Sequence, residues 1–303
     1  MSRGGKAVQM EQLLQQLING LSIGSIYALI ALGYTMVYGI IQLINFAHGD
    51  VYMVGAFVGY FSMTTFHLGF VEALVMAMAA CTILGVVIER VAYRPLRNSP
   101  RIAVLITAIG VSMILEYGMM YFVGAGVRSY PPLPGFMSGS FSVGGVKIKN
   151  MQLVIIGISI LLMVILQFIV QKTKVGRAMR AVSQDAEAAR LMGINVDNTI
   201  SLTFALGSAL AGAAGVLVGV YYNSINPLMG LMPGVKAFVA AVFGGIGLIP
   251  GALIGAYVVG LLETGVAASG LSMFRDGVVF VVLIIVLIVK PTGLLGKNVR
   301  EKV

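Results

Sequence analysis

Long apolar runs alternate with short charged stretches along the chain. Eight runs stand out, at residues 13–41, 44–63, 71–88, 102–123, 151–170, 200–222, 237–262 and 277–289. A hydrocarbon core about 30 Å thick takes about 20 helical residues to cross, so most of these runs predict membrane-spanning helices. Residues 124–150 carry Pro131, Pro132, Pro134 and several Gly and Ser residues, which predicts an exposed loop. The run 237–262 is broken in its middle by Gly244, Gly245, Gly247, Pro250 and Gly251, a cluster that interrupts a helix through lost donors and backbone freedom. The last run is short, and its helix is expected to reach back past the opposite charges Arg275 and Asp276 at an interface.

The polar positions set the orientation. Cations concentrate in three stretches: Arg90, Arg94, Arg97 and Arg101; then Lys172, Lys174, Arg177, Arg180 and Arg190; then Lys290, Lys297, Arg300 and Lys302. Under the positive-inside rule all three are cytoplasmic. Residues 291–303 then form a cytoplasmic tail and 172–198 a cytoplasmic loop, with 124–150 on the far side. Residues 1–9 read as an extension ahead of Met10 without a signal-peptide pattern, and Arg3 and Lys6 favour a cytoplasmic N-terminal extension over 1–12. Parity constrains the rest. Three runs between 198 and 290 cannot return the chain to its starting side, so 237–262 is expected to enter and leave one face as two half-helices. At the front, 44–63 is the corresponding interrupted run. Similarity between 55–59 and 255–260 suggests a repeat only faintly.

Composition excludes most other classes. Of the 303 residues 58% are hydrophobic and 10% charged, and mean hydropathy is +0.97, so this is an all-α polytopic membrane protein with its membrane domain over 13–290. The net charge of +9 follows topology rather than nucleic acid. Glycine, at 39 residues, marks close helix packing or broken helices. Ser208 with Gly212, Ala211 with Gly215, Gly215 with Gly219, and Gly20 with Gly24 lay small residues along single helix faces. A single cysteine, Cys81, excludes an intrachain disulfide, and the two histidines form no metal-ligand pattern. No catalytic set and no phosphate-binding loop is present, so no catalytic residue, metal or cofactor is assigned to this chain.

Polar residues inside apolar runs are expensive and mark either a pathway or a wetted turn. Asn45, His48 and Asp50 are such a group, as are Glu116 and Glu263, for which pairing with Arg128 or Arg275 is the alternative to function. In the loop 172–198, Asp185 to Met192 has an amphipathic pattern, and Gly193 can stop the short helix. Such a helix suits a docking partner, or else an interfacial position on anionic lipid.

Glu187-Ala188-Ala189 followed by Gly193-Ile194-Asn195 resembles the docking-loop motif of ABC-importer permeases. INFAHGDVYMVGAF (44–57), IERVAYRPLR (88–97), INPLMGLMPGVKAF (225–238) and AAVFGGIGLIPGALIGA (240–256) together resemble the LivH-type permease of bacterial branched-chain amino acid importers over nearly all of 10–303. The resemblance implies a multi-pass subunit of the bacterial inner membrane. It would pair with a homologous LivM-type permease to form the path for aliphatic amino acids by alternating access. Its further implied partners are two cytoplasmic ATPases of LivG and LivF type, which bind ATP and Mg, and a periplasmic or lipid-anchored binding protein. The implied ATPase contacts are Asp185, Glu187, Ala188, Ala189, Gly193, Ile194 and Asn195; for the pathway, Asn45, His48, Gly49 and Asn226 are the candidates. A self-contained channel or secondary carrier is the competing reading. It would need mid-helix carboxylates such as Glu116 and Glu263, and it has no use for a docking loop.

Overall fold

The computed structural model describes residues 3–97, 99–133 and 135–296. Its helices are α1 (Arg3–Ile41), α2 (His48–Thr64), α3 (Phe70–Ile88), α4 (Arg101–Val123), α5 (Asn150–Lys172), α6 (Lys174–Gln184), α7 (Ala186–Leu191), α8 (Val196–Tyr222), α9 (Leu231–Gly244), α10 (Ile249–Ala268) and α11 (Arg275–Val289). A π-helical turn, Glu89–Tyr93, prolongs α3, and strands β1 (Ser140–Val143) and β2 (Val146–Lys149) form an antiparallel hairpin in the long loop. Among the described residues seven helices are long and apolar enough to cross a membrane, and α2 and α9 are shorter partners.

The two central helices are α1 and α8, the most enclosed of the long ones, and they cross antiparallel where Gly33 meets Gly207. Helices without a hydrophobic driving force between them need close backbone approach, which small residues permit. The small-residue stripes predicted on α1 and α8 serve this purpose. Gly212 faces Ala77 and Cys81 of α3 and Gly55 of α2, Gly215 lies on the Tyr52 carbonyl, and Gly24 meets Gly260 of α10. Helices α4, α5 and α11 are peripheral, and their outer faces (Ile106, Ile114, Phe168, Ile288) are exposed and apolar, as a surface facing hydrocarbon or another apolar subunit requires.

One end of the bundle is charged. There Arg94 and Arg97 reach Asp197 at the start of α8, the end of α1 lies beside α6, and Leu294 and Leu295 bond back to the α9–α10 turn. The hairpin marks the opposite end, where Arg128 pairs with Ile225 and the early part of α1 touches the loop, through Lys147 N–H donating to Gln15 at 3.0 Å and Gln152 to Asn19 at 2.9 Å. This corrects one expectation. The start of α1 shares the end of 124–150, not that of 172–198, so an N-terminal extension on the cytoplasmic side is incompatible with the placement of those two loops. The expectation had rested on Arg3 and Lys6 alone. Residues 1–2 and the part of the predicted tail from 297 onward lie outside the described residues.

The run 237–262 is also corrected. It holds two helices, α9 starting earlier at Leu231 and α10 running on to Ala268, joined by a turn at which Gly245 and Gly247 take positive φ of 110° and 91°. At about 1.5 Å per residue, the 20 residues of α10 give about 30 Å, enough for a full crossing rather than a half-helix. The turn lies at the charged end, so α9 and α10 supply a pair of opposite passes and the parity condition is met.

Two inverted halves emerge. In the first, α1 descends to the charged end, a non-helical segment (42–47) turns back into the bundle, α2 rises from there, and α3 and α4 follow. In the second, α8 rises to the hairpin end, a non-helical segment (223–230) turns back, α9 descends, and α10 and α11 follow. Packing repeats accordingly: α1 lies antiparallel to α10 as α8 does to α3, and α2 runs parallel beside α8 as α9 does beside α1. Inverted repeats with interrupted helices meeting inside the bundle are a transporter architecture. The faint match of 55–59 with 255–260 is not part of it, because α2 corresponds to α9 and not to α10.

Candidate functional site

At the charged end, Thr173 caps α6 by accepting from Gly176 N–H at 3.2 Å, and α6 buries Met179 and Val182. The Asp185 carboxylate then caps α7, accepting from the N–H groups of Glu187 and Ala188 at 2.9 Å each. A six-residue helix has no stability of its own, so this cap and the inward Ala189 define it. Gly193, with φ of 82°, ends it in the left-handed conformation glycine tolerates; Ile194 N–H bonds Ala189 C=O, and Asn195 caps α8 through Asn198 N–H at 2.9 Å. Asp185, Glu187, Ala188, Gly193 and Asn195 are exposed, Ile194 is half-buried and Ala189 buried. The seven predicted residues are therefore contiguous on one protruding element. Leu191 and Met192, the large apolar residues of the amphipathic pattern, project outward at 88% and 83% exposure while Ala189 turns inward.

This element is rooted in the bundle. Directly after it, Asp197 accepts from Arg94 at 2.6 Å and Arg97 at 2.5 Å, and Arg97 also pairs with the fully buried Glu89, to which Ser201 donates. These bonds tie the start of α8, directly after α7, to the end of α3. Glu89 escaped sequence reading because its neighbours are arginines that looked solvated.

The predicted pathway residues separate into two groups. His48 and Gly49 begin α2 where it meets α9: Gly49 lies against Gly230 and Gly234, and the buried His48 ring packs at 4.8 Å on Tyr34 and against Gly33, its Nε2 without a hydrogen-bond partner. Asp50, equally buried, accepts from Ser112 of α4 and lines a 130 Å³ cavity with Tyr34, Gly230 and Gly234. The Asn45 carbonyl accepts from His48 N–H at 3.1 Å, but the side chains of Asn45 and Asn226 are engaged elsewhere. Asn45 accepts from Tyr93 Oη at 2.9 Å, and Asn226 holds the turn 226–229 by accepting from Leu228 N–H at 3.0 Å. Tyr130, from the long loop, donates to Ala56 C=O, and burial pushes its phenol well up from the ordinary range.

Glu116 does not pair with Arg128, which bonds Val123 C=O and lies 5.8 Å over the rings of Tyr60 and Phe61. Glu263 does pair with Arg275, as one of its two expected readings had it, but within a buried cluster whose central cation, Lys236, sequence reading missed. Lys236 Nζ is 2.9 Å from Glu263 and 2.7 Å from Asp276, the latter out of line for a hydrogen bond, and Tyr27 Oη donates to Glu263 at 2.7 Å. Arg275 stands 3.7 Å from Glu263. The signal was present in Lys236, a lone cation in an apolar stretch. Among the described residues no group of three His, Cys, Asp or Glu side chains is placed to hold a metal ion. A 610 Å³ cavity between α5 and α10 has apolar walls such as Met163, Phe168 and Leu253, and lies away from these polar centres.

Residues 16–287 match the model of a family described as branched-chain amino acid transport system / permease component. The chain is 46% identical over 300 residues to the high-affinity branched-chain amino acid transport system permease protein BraD of Pseudomonas aeruginosa, covering 96% of this chain and 98% of that one. To the permease protein LivH of the corresponding Escherichia coli system it is 45% identical over 312 residues, covering 97% and 99%. A probable branched-chain amino acid transport permease LivH of Methanocaldococcus jannaschii is 29% identical over 293 residues, with 91% and 90% covered.

Proposed function

Because the chain belongs to the family of permease components of branched-chain amino acid transport systems, we propose that it is a membrane subunit of an ATP-driven importer and forms, with a homologous permease, the path that aliphatic amino acids take. It works with a homologous permease, two cytoplasmic ATPases that bind ATP and Mg, and an extracytoplasmic binding protein, in the bacterial inner membrane. It performs no bond chemistry. The observation that carries the mechanism is the capped, protruding α7 with its exposed Leu191 and Met192, an apolar knob on the charged and therefore cytoplasmic end.

ATP-driven closure of the ATPases moves this knob. Asp197 and its arginines pass the displacement to α8 and α3, and the inverted halves rock about the glycine crossings at Gly33/Gly207 and Gly49/Gly230. That motion opens the path to one face and then to the other. The test is Glu187→Arg in the reconstituted complex. Uptake is expected to stop while membrane insertion and subunit expression stay normal; ATP-coupled uptake at the wild-type rate overturns the proposal.

A further inference from the structure

A cavity of 370 Å³ opens at the hairpin end of the bundle, within the ~300–1,000 Å³ range of small-molecule sites. It lies inside this one chain, where α1, α2, α8, α9 and the start of α11 converge. One wall is aliphatic, made by Ile23, Ile26, Val218 and Met229. The polar side is sparse. Tyr52 is 1% exposed, and its hydroxyl has no hydrogen-bond partner among the described residues; Tyr222 adds a second phenol, and Arg275 a guanidinium. Arg275 turns only its Nε toward Glu263 and Asp276, at 3.7 and 3.4 Å, and its terminal nitrogens donate to nothing among the described residues. Its Nε side thus serves the carboxylates it shares with Lys236, and its forked edge is open to an anion from the cavity, where a zwitterion adds no net charge.

The inverted repeat supplies an independent observation. At the charged end, the end of α1, the segment after it and the start of α4 line a second cavity of 260 Å³, through Tyr38, Gln42, Ile44 and Arg101, the first residue of α4. Arg275 is likewise the first residue of α11, Tyr222 the end of α8, and Met229 lies on the segment after α8, so these three parts of the larger cavity have counterparts, whereas its α1, α2 and α9 walls have none. The same combination, an apolar wall with one helix-opening arginine and a tyrosine, stands at each mouth of the bundle.

We infer that the 370 Å³ cavity is a substrate station in this chain for a free aliphatic α-amino acid. Arg275 takes the carboxylate, Tyr52 and Tyr222 take the ammonium through hydroxyl and ring face, and the Ile23/Ile26/Val218/Met229 wall takes the side chain. This rests on the proposed function and deepens it.

The test uses the assembled transporter in proteoliposomes with radiolabelled L-leucine. Arg275→Gln is expected to lower uptake about 10-fold or more, the scale of losing a hydrogen bond to a charged group, with partial recovery in Arg275→Lys. Val218→Phe, which fills the apolar wall and leaves the charge cluster intact, is expected to lower uptake as well. Ser224 lines the same cavity, and in Ser224→Cys labelling by a membrane-impermeant maleimide, in complex lacking the binding protein, is expected to slow several-fold in millimolar leucine. Wild-type uptake in both Arg275→Gln and Val218→Phe, or Ser224→Cys labelling indifferent to leucine, overturns the inference. If Arg275→Gln does not assemble, the Val218 and Ser224 results decide. A wild-type complex that imports no branched-chain amino acid sinks the proposed function instead, and that arm is read separately.

Discussion

Replacing Lys236 with Met tests the buried charge cluster quantitatively. The Lys236 and Glu263 side chains are each 5% exposed, so neither carboxylate nor ammonium has water to fall back on. In the wild type two cations (Lys236, Arg275) face two anions (Glu263, Asp276). Lys236→Met leaves both anions with Arg275 alone, 3.7 and 3.4 Å away and half-exposed. Removing one partner of a buried pair costs about 3–5 kcal/mol, and the remaining attraction of Arg275 places this case near the low end, at about 3 kcal/mol. In Lys236→Met/Glu263→Gln the remaining charges, Asp276 and Arg275, balance, and Tyr27 keeps an acceptor. The double variant should therefore recover at least about 1 kcal/mol relative to the sum of the single variants. Denaturant unfolding in mixed micelles measures all four proteins. Lys236→Met within about 0.5 kcal/mol of wild type, or strict additivity in the double variant, would refute the reasoning.

Two further outcomes follow from geometry. A Cβ on Gly55 would lie 2.5 Å from Gly212 Cα, so Gly55→Ala should destabilise by about 1–3 kcal/mol, whereas Gly118, in the middle of α4 with open space around it, should accept Ala with neutral or slightly favourable effect; thermal denaturation of the two variants compares them. Cysteine scanning checks the sidedness of α1. Native Cys81 is buried, so Gln12→Cys should react with an impermeant maleimide on intact cells and Ser183→Cys only after permeabilisation, and the reverse pattern would restore the cytoplasmic N-terminus.

Most spanning helices were legible because each is an apolar run bounded by charge or by Pro and Gly, as for α3, α4, α5 and α8. The α9–α10 division was half legible. Its glycine-proline cluster announced a break, but the run around it stays apolar, so hydropathy alone could not say whether the break was a re-entrant tip or a full turn. The protruding α7 could be read through local signals, the amphipathic pattern of Asp185 to Met192 and Gly193 as stop, which depend only on neighbours in sequence; Asp185 as its cap came only with the structure. The polar interior was less accessible, since its partners are distant along the chain: Lys236 with Glu263, Glu89 with Ser201, Asp50 with Ser112. The inverted halves stayed hidden for a related reason, because close helix crossings require small residues at particular depths and leave the remaining sequence free to diverge.

Leucine uptake into proteoliposomes, compared with and without the ATP-binding subunits, tests the account most directly. ATP-dependent uptake only in the full assembly, abolished by Glu187→Arg, is the predicted result; uptake by this chain alone, without ATP, would contradict it.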